Sequence, residues 1–275
     1  MGTGGVSPRK SYRVGSIDIV IAGAESLVGV ADGVTRLPSP GGVPLARLFV
    51  DTSAERDWPL EVSEHDDAHV FGRDRHRLEV YPETMDVRLT LTRQLGADAV
   101  CWLRRDLFGL LACLSGELML HGSSVIRDGE AHVFCGHSGA GKSALCRMLS
   151  AQGLEAVSDE INWLFRDKEG VLRMVNQLFW IPDPTASATL ARSGDPCPPV
   201  SKVCLLRQSP ACALKAPLHP ATTFSELLAC HLGIDERHGF IRKRAEALAK
   251  LVETVDIPVF EFNLNPSEVM RTLFG

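Results

Sequence analysis

The chain has 275 residues, enough for one large domain or two smaller ones with a substantial buried core. Hydrophobic residues make up 45% and charged residues 23% of the sequence, which excludes a disordered or fibrous protein. The formal net charge of −5 gives no electrostatic reason to expect a nucleic-acid partner.

No apolar run approaches the roughly 20 residues that a membrane-spanning helix needs, so we expect a cytoplasmic protein without a membrane partner. The sequence has 8 cysteines, several of them within apolar runs, and no close pair has metal-ligand spacing. We therefore predict buried, reduced thiols that pack as small hydrophobic side chains.

The first part of the chain is predicted to be a loose tail at 1–11, followed by a β-rich region at 12–95. Short segments with partial alternation, separated by clusters of Pro and Gly, indicate strands. These predicted strands are 17–21, 46–50, 76–81 and 87–91. We expect this region to be mainly antiparallel, and it is a candidate docking region for a substrate or for a second copy in a homo-oligomer.

The remainder, 96–275, alternates strands, loops and helices, which predicts an α/β domain in a chain that is α+β overall. In chain order we predict a helix at 97–114, a hairpin around Asp128-Gly129, a helix at 142–152, a strand at 155–158, a hairpin at 161–175, a loop at 194–199, a strand at 201–206, helices at 224–232 and 237–252, and a strand at 258–264. The last helix is predicted to begin with Asn265 as its N-cap, Pro266 in the first helical position and Glu268 reaching back as in a capping box.

The segment 136–143 reads GHSGAGKS and matches the phosphate-binding Walker A pattern G-x-x-x-x-G-K-[ST]. It also has the required context, because an apolar strand precedes it and a helix follows it. Glycines let backbone N–H groups turn towards phosphates, the lysine supplies a positive charge and the serine hydroxyl can bind Mg²⁺. We predict nucleotide-binding roles for Gly136, Ser138, Gly139, Ala140, Gly141, Lys142 and Ser143.

An acidic pair, Asp159-Glu160, follows the strand that comes after the helix. Because a β–α–β crossover returns the chain in the same direction, we expect this pair at the same sheet edge as the loop. One carboxylate can then hold Mg²⁺, directly or through water, while the other orients a nucleophile or takes its proton. The alternative is an acidic strand end that only faces solvent.

Two histidines lie near the loop. His121 comes just before the predicted hairpin, where it can either contact a transferring phosphate or serve a structural role by bonding to the backbone. His137 lies inside the loop at a variable position of the pattern, and we expect it to face solvent.

These motifs together resemble the core of bacterial HPr serine kinase/phosphorylase and its smaller relatives. In that family a His-Gly/Ala element precedes the glycine-rich loop, and a Val-Ala/Ser-Asp-Asp strand end follows the loop's helix. Here the segments 121–123 and 156–160 occupy those places. The resemblance covers about 118–165 well and the C-terminal part loosely, and the ending 255–262 is also similar.

The resemblance implies a fold like that of phosphoenolpyruvate carboxykinase, with ATP and Mg²⁺ bound at the P-loop. It further implies that Asp159 is the catalytic carboxylate, that Glu160 stands where the family has its metal-binding Asp, and that His121 is the active-site histidine. The family's later Ile-Glu-x-Arg-Gly signature is absent from this sequence. A peptide or small protein is the expected class of phosphate acceptor.

Two functions follow from these residues. The first is an ATP-dependent kinase that phosphorylates a Ser or Thr hydroxyl of a peptide or small protein, with Asp159, His121 and Lys142 as catalytic residues and with Ser143 and Glu160 at the metal. The second is a nucleotide-binding scaffold or accessory protein with little turnover. The segment 180–184 is a candidate lining for the acceptor site, with a simple core or loop role as its alternative.

Overall fold

The computed structural model describes residues 9–14, 17–22, 46–54, 58–65, 68–74, 76–81, 86–92, 97–175, 195, 197–230 and 240–275. The chain divides into two compact units, the first formed by 1–115 with 234–241 and the second by 116–233 with 242–275. The first helix groups with the first unit, whereas the sequence-based boundary at 95/96 assigned it to the second region. That boundary, as a division of function, stays a prediction.

The first unit contains a seven-stranded sheet with the order β1-β2-β3-β7-β6-β5-β4. Its elements are β1 (Arg9–Val14), β2 (Ile17–Ala22), β3 (Ala46–Ala54), β4 (Trp58–His65), β5 (Ala68–Asp74), β6 (His76–Tyr81), β7 (Asp86–Thr92) and α1 (Ala97–Ser115). β1 pairs with β2 in antiparallel fashion, and so do the neighbours in the run β7-β6-β5-β4. β3, however, pairs in parallel with both β2 and β7, so the sheet is mixed.

The second unit contains an eight-stranded mixed sheet with the order β12-β11-β8-β9-β13-β15-β14, in which β10 also pairs with β8. Its strands are β8 (Leu118–Arg127), β9 (Glu130–Cys135), β10 (Glu155–Ser158), β11 (Ile161–Arg166), β12 (Leu172–Val175), β13 (Val200–Gln208), β14 (Ala213–Lys215) and β15 (Val259–Phe262). Its helices are α2 (Lys142–Ala151), α3 (Pro220–Ala229), α4 (Phe240–Thr254) from residue 242 onwards, and α5 (Pro266–Phe274).

Apolar side chains cover both faces of this second sheet. One core cluster joins Leu120 of β8 to helices α3 and α4 through Leu227 and Leu248. The other joins Val125 of the same strand to α2 and α5. Because neighbouring residues of a strand point to opposite faces, β8 contributes to both clusters, and the sheet lies between two helical layers.

Local chemistry accounts for several element ends in the second unit. Asp128 and Gly129 both have positive φ values, 54° and 82° respectively. A two-residue hairpin turn of this kind needs positive φ at both positions, so the predicted β8–β9 hairpin is confirmed. Gly153, with φ 91°, follows the end of α2 as predicted.

The N-cap of α5 is confirmed, with a difference in detail. The Asn265 side chain accepts hydrogen bonds from the backbone N–H groups of Ser267 and Glu268 at 3.1 and 3.4 Å. The Glu268 carboxylate does not bond to the Asn265 backbone. It accepts instead from the side-chain amides of Asn263 and Asn265, at 2.9 and 3.3 Å, because the Asn265 backbone N–H already donates to Asn263 Oδ1.

None of the helices in the described part of the chain combines the length and apolar character needed to cross a membrane.

Candidate functional site

The loop 136–141 joins the end of β9 to the start of α2, as the Walker A pattern predicts. Gly141 has φ 93°, a left-handed conformation that favours glycine, and a Cβ built there would lie 2.7 Å from Phe262 Cζ. A Cβ on Gly136 would lie 2.9 Å from the Cβ of Ala140. Side chains at these two positions would therefore overlap with Phe262 and with Ala140, so the close packing around the loop requires glycine at both.

The ammonium group of Lys142 lies within the turn of the loop. Lys142 is only 6% exposed, and its Nζ donates to the carbonyl oxygens of Gly136 at 2.7 Å and of His137 at 3.1 Å. A buried cation needs polar partners, and here the loop's own backbone supplies them. An anion bound by the backbone N–H groups of the loop would be attracted by this cation and by the N-terminal end of α2.

The remaining predicted binding residues lie around this centre. Ser138 and Gly139 are exposed, whereas Ala140 and Ser143 are partly buried, Ser143 in the first turn of α2. Gln208, the last residue of β13, donates from Nε2 to the Gly139 carbonyl at 2.8 Å. The outer part of the loop is thereby held to the strand beside β9.

His121 lies beside the beginning of the loop. β8 and β9 are antiparallel with Gly122 opposite Cys135, so the same register places His121 opposite Gly136. The His121 backbone N–H donates to the Cys230 carbonyl at the end of α3, at 2.6 Å, which fixes this end of β8. The His121 side chain is 36% exposed, so it can reach both solvent and the residues of the neighbouring strands.

The acidic pair lies on the other side of β8. β10 and β11 both pair antiparallel with β8, and Asp159-Glu160 form the break between them. β10 therefore runs in the same direction as β9, as predicted, but β8 lies between the two strands. In a simple β–α–β unit the two parallel strands are adjacent in the sheet. Here β8, which forms a hairpin with β9, lies between β9 and β10.

The break at the acidic pair is held by specific hydrogen bonds. Ser158 Oγ accepts from the backbone N–H groups of Glu160 and Ile161, at 3.2 and 3.0 Å. The Gly122 backbone N–H donates to the Glu160 carbonyl at 3.1 Å. Asp159 and Glu160 are both exposed. The backbone of the acidic pair is thus fixed at the level of His121 and of the loop.

The three motifs converge at one end of the sheet. His121 Nδ1 lies 3.9 Å from Glu160 Oε2. Strands in a sheet lie about 4.8 Å apart, so the two strand steps from β9 through β8 to the acidic pair span roughly 10 Å. The charge of Asp159 also acts on α2, where it adds to burial in raising the pKa of the Cys146 thiol to about 12.

The oxygen groups at this end of the sheet fit Mg²⁺ better than a softer metal. Within the described ranges, no cluster of three or more His, Cys, Asp or Glu side chains comes together to hold a metal. Mg²⁺ usually takes one or two carboxylates with phosphate oxygens and water, so it does not need such a cluster. The Ser143 hydroxyl and the Glu160 carboxylate are the groups here that can serve it.

Thiol chemistry is disfavoured at this site. Cys135 and Cys230, beside the beginning of the loop, are buried and free, and burial raises the pKa of both thiols. Burial also raises the pKa of Cys204 to about 12. A protonated, buried thiol is a poor nucleophile, so oxygen and nitrogen groups carry the chemistry available here.

A second group of side chains was missed from the sequence. The His137 side chain is 60% exposed, as expected, but its Nε2 lies 2.8 Å from Glu226 Oε2 on α3. The other Glu226 oxygen accepts from Arg207 Nη2 at 2.9 Å. Arg207 and Gln208 follow the apolar run 203–206 of a strand, and that signal alone could have suggested polar groups at the strand end. The predicted acceptor segment, 180–184, lies outside the described residues.

Comparisons with known proteins assign no family to the chain. No family model matches the sequence, and no curated protein matches it. A solved structure of the HPr(Ser) kinase/phosphatase from Coxiella burnetii is similar with a TM-score of 0.28 and 12% identity, over 56% of this chain and 91% of that chain. A likeness of this degree supports no conclusion about the fold or function of this chain.

Proposed function

We propose that this chain is an ATP- and Mg²⁺-dependent kinase that transfers the γ-phosphoryl group to a Ser or Thr hydroxyl of a peptide or small protein. One observation carries the proposal. The glycine-rich loop, His121 and the Asp159-Glu160 pair lie on adjacent strand rows at the same end of one sheet. Phosphoryl transfer depends mainly on positioning and on charge stabilisation, and this arrangement supplies groups for both.

In this proposal each of these side chains has a distinct role. The loop amides and Lys142 bind the phosphates. The Ser143 hydroxyl and the Glu160 carboxylate would hold Mg²⁺, which would offset the negative charge of the phosphate oxygens. Asp159 accepts the proton of the acceptor hydroxyl. His121, within 3.9 Å of Glu160, donates a hydrogen bond to the transferring group.

The absence of the Ile-Glu-x-Arg-Gly signature favours a second candidate, a nucleotide-binding scaffold with little turnover. Both candidates bind ATP, but only the kinase transfers the γ-phosphoryl group to an acceptor. Asp159→Asn should therefore separate them, because it removes the proton acceptor while keeping the shape of the side chain.

We expect the full chain, with γ-labelled ATP, Mg²⁺ and peptides or small proteins from neighbouring genes, to transfer acid-stable label. Asp159→Asn should lower that transfer by about 100-fold or more while ATP affinity changes by less than about threefold. Lys142→Ala should weaken ATP binding itself by about tenfold or more. The matched control is Asp128→Asn, an exposed carboxylate (side chain 86% exposed) at the far turn of the β8–β9 hairpin.

The outcomes discriminate clearly. Equal transfer by wild type and Asp159→Asn would rule out the assigned proton acceptor. Tight ATP binding without transfer to any acceptor tested would support the scaffold. No ATP binding by the wild-type chain would exclude both functions.

A further inference from the structure

Arg207 lies at the same sheet end as the loop, on the side away from His121. β13 pairs in parallel with β9, with Leu205 opposite Cys135, so Leu206 lies opposite Gly136 and Arg207 one residue beyond. The end of β13 and the start of the loop are in close contact, because a Cβ built on Gly136 would lie 3.4 Å from the Leu206 carbonyl oxygen. The sheet thus presents a guanidinium group next to the loop, where the sequence-based site included only Lys142 as a cation.

Glu226 of α3 holds this guanidinium group at present. Its Oε1 accepts from Arg207 Nη2 at 2.9 Å, and its Oε2 lies 2.8 Å from His137 Nε2 in the loop itself. The Glu226 side chain is 20% exposed and that of Arg207 is 48% exposed. The Glu226 carboxylate therefore bridges β13 and the loop. It is the hydrogen-bond partner of the Arg207 guanidinium group, which lies beside the loop backbone.

The backbone around Arg207 is fixed, so only its side chain has to turn. The next residue, Gln208, donates to the Gly139 carbonyl at 2.8 Å and joins the end of β13 to the loop. A half-exposed ion pair contributes little to stability and is readily exchanged. A phosphate group offers the guanidinium fork two parallel charge-assisted hydrogen bonds, which are stronger.

We propose that Arg207 is the second cation of the nucleotide site, and that the outer phosphates of a nucleoside triphosphate displace Glu226 from it. The inference rests on the proposed function, because it requires that the loop bind a nucleotide. It adds a selectivity: the loop and Lys142 serve both di- and triphosphates, whereas Arg207 binds the terminal phosphate that only the triphosphate carries. Glu226 is then the competitor that the triphosphate replaces.

The test uses calorimetric titration of the full chain, in Mg²⁺, with ADP and with the β,γ-imido analogue of ATP. Arg207→Gln should weaken binding of the triphosphate analogue by about tenfold and that of ADP by less than about threefold. Arg207→Lys, which keeps the charge but loses the fork, should fall between. The control is Arg242→Gln, whose side chain is 84% exposed and pairs with Glu246 on α4.

A double-mutant cycle separates displacement from a general charge effect. Removing the competitor by Glu226→Gln should tighten triphosphate binding a few-fold when Arg207 is present. In the Arg207→Gln background the same change should have a smaller effect, since no guanidinium group is left to release. Additive effects of the two substitutions would overturn the displacement.

Failure of this inference is distinguishable from failure of the proposed function. If wild type binds the triphosphate analogue, Lys142→Ala does not, and Arg207→Gln binds like wild type, Arg207 has no role while nucleotide binding stands. Equal losses for ADP and the triphosphate analogue in Arg207→Gln would overturn the selectivity. Absence of nucleotide binding in the wild type would overturn both.

Discussion

Gly141 illustrates how a single residue can be constrained twice. Its φ of 93° is strained for any residue with a Cβ, and the Cβ would also lie 2.7 Å from Phe262 Cζ. Gly153 has nearly the same φ, 91°, but nothing lies within 4 Å of its Cβ position. The pair therefore separates backbone strain from steric overlap.

We expect Gly153→Ala to lower the free energy of unfolding by about 1–2 kcal/mol, the cost of left-handed backbone alone. Gly141→Ala should cost about 1–3 kcal/mol more, because the aromatic ring must move. Urea denaturation of both variants measures the difference. Adding Phe262→Leu should recover part of the loss in the Gly141 variant, and equal costs for the two alanine variants would argue against the ring contact.

His132 should make stability depend on pH. The side chain is buried on β9, its Nδ1 has no hydrogen-bond partner among the described residues, and its pKa is lowered from 6.5 to about 4, first by burial and then by Lys202. Arg127 adds to the lowering, while Glu130 and Asp128 oppose it. The folded state therefore disfavours the proton that the unfolded state accepts.

The sign follows from linkage. The contribution of neutral His132 is fully present above pH 6.5 and is lost as the pH falls towards 4, with a slope of at most about 1.4 kcal/mol per pH unit. Urea midpoints measured between pH 7 and pH 4 should show a shallower slope for His132→Gln than for wild type. An unchanged slope in His132→Gln would contradict the assignment.

At the scale of elements, the N-cap of α5 offers a defined test. Asn265 satisfies two backbone N–H groups at the start of the helix, and its amide also bonds to Glu268. We expect Asn265→Ala to cost about 1 kcal/mol of unfolding free energy and Asn265→Ser only a few tenths, because serine keeps an acceptor oxygen. Thermal and urea unfolding of the two variants measure this, and equal losses would mean that the acceptor is not what stabilises the helix.

Elements with a local signal could be predicted from the sequence. The β8–β9 hairpin has its Asp-Gly turn, and α2 has a glycine at each end. β1, β4 and β5 were missed because their sequences are polar or contain proline and glycine, and only their neighbours in the sheet make them strands. The same reason explains the parallel pairing of β3, which depends on partners distant in sequence.

In the candidate site, too, the parts with a local sequence signal could be predicted and the parts that depend on distant segments could not. The loop and the acidic pair could be predicted because each is a short motif beside an apolar strand. The position of β8 between them could not, since strand order is decided by packing over the whole sheet. The bridge from Arg207 through Glu226 to His137 joins three distant segments, and no local pattern indicates it.

At the scale of the whole molecule, the glycine-rich loop belongs to one of two compact units. All of the residues proposed to bind ATP or to act on it lie within 116–233, the larger segment of the second unit. A ligand that binds only the folded form stabilises that form, by about 2.7 kcal/mol when its concentration is 100 times the dissociation constant. The elements that contact the ligand should show this stabilisation most strongly.

We therefore expect Mg²⁺ with the β,γ-imido analogue of ATP to slow amide hydrogen exchange in the loop, the start of α2 and the adjoining end of β8, because opening of these segments would release the ligand. The seven-stranded sheet, which contains none of the proposed binding residues, should exchange at its unliganded rate. Lys142→Ala at the same ligand concentration controls for nonspecific protection. Equal slowing of exchange in β1–β7 would show that the two units respond to the ligand as one cooperative body.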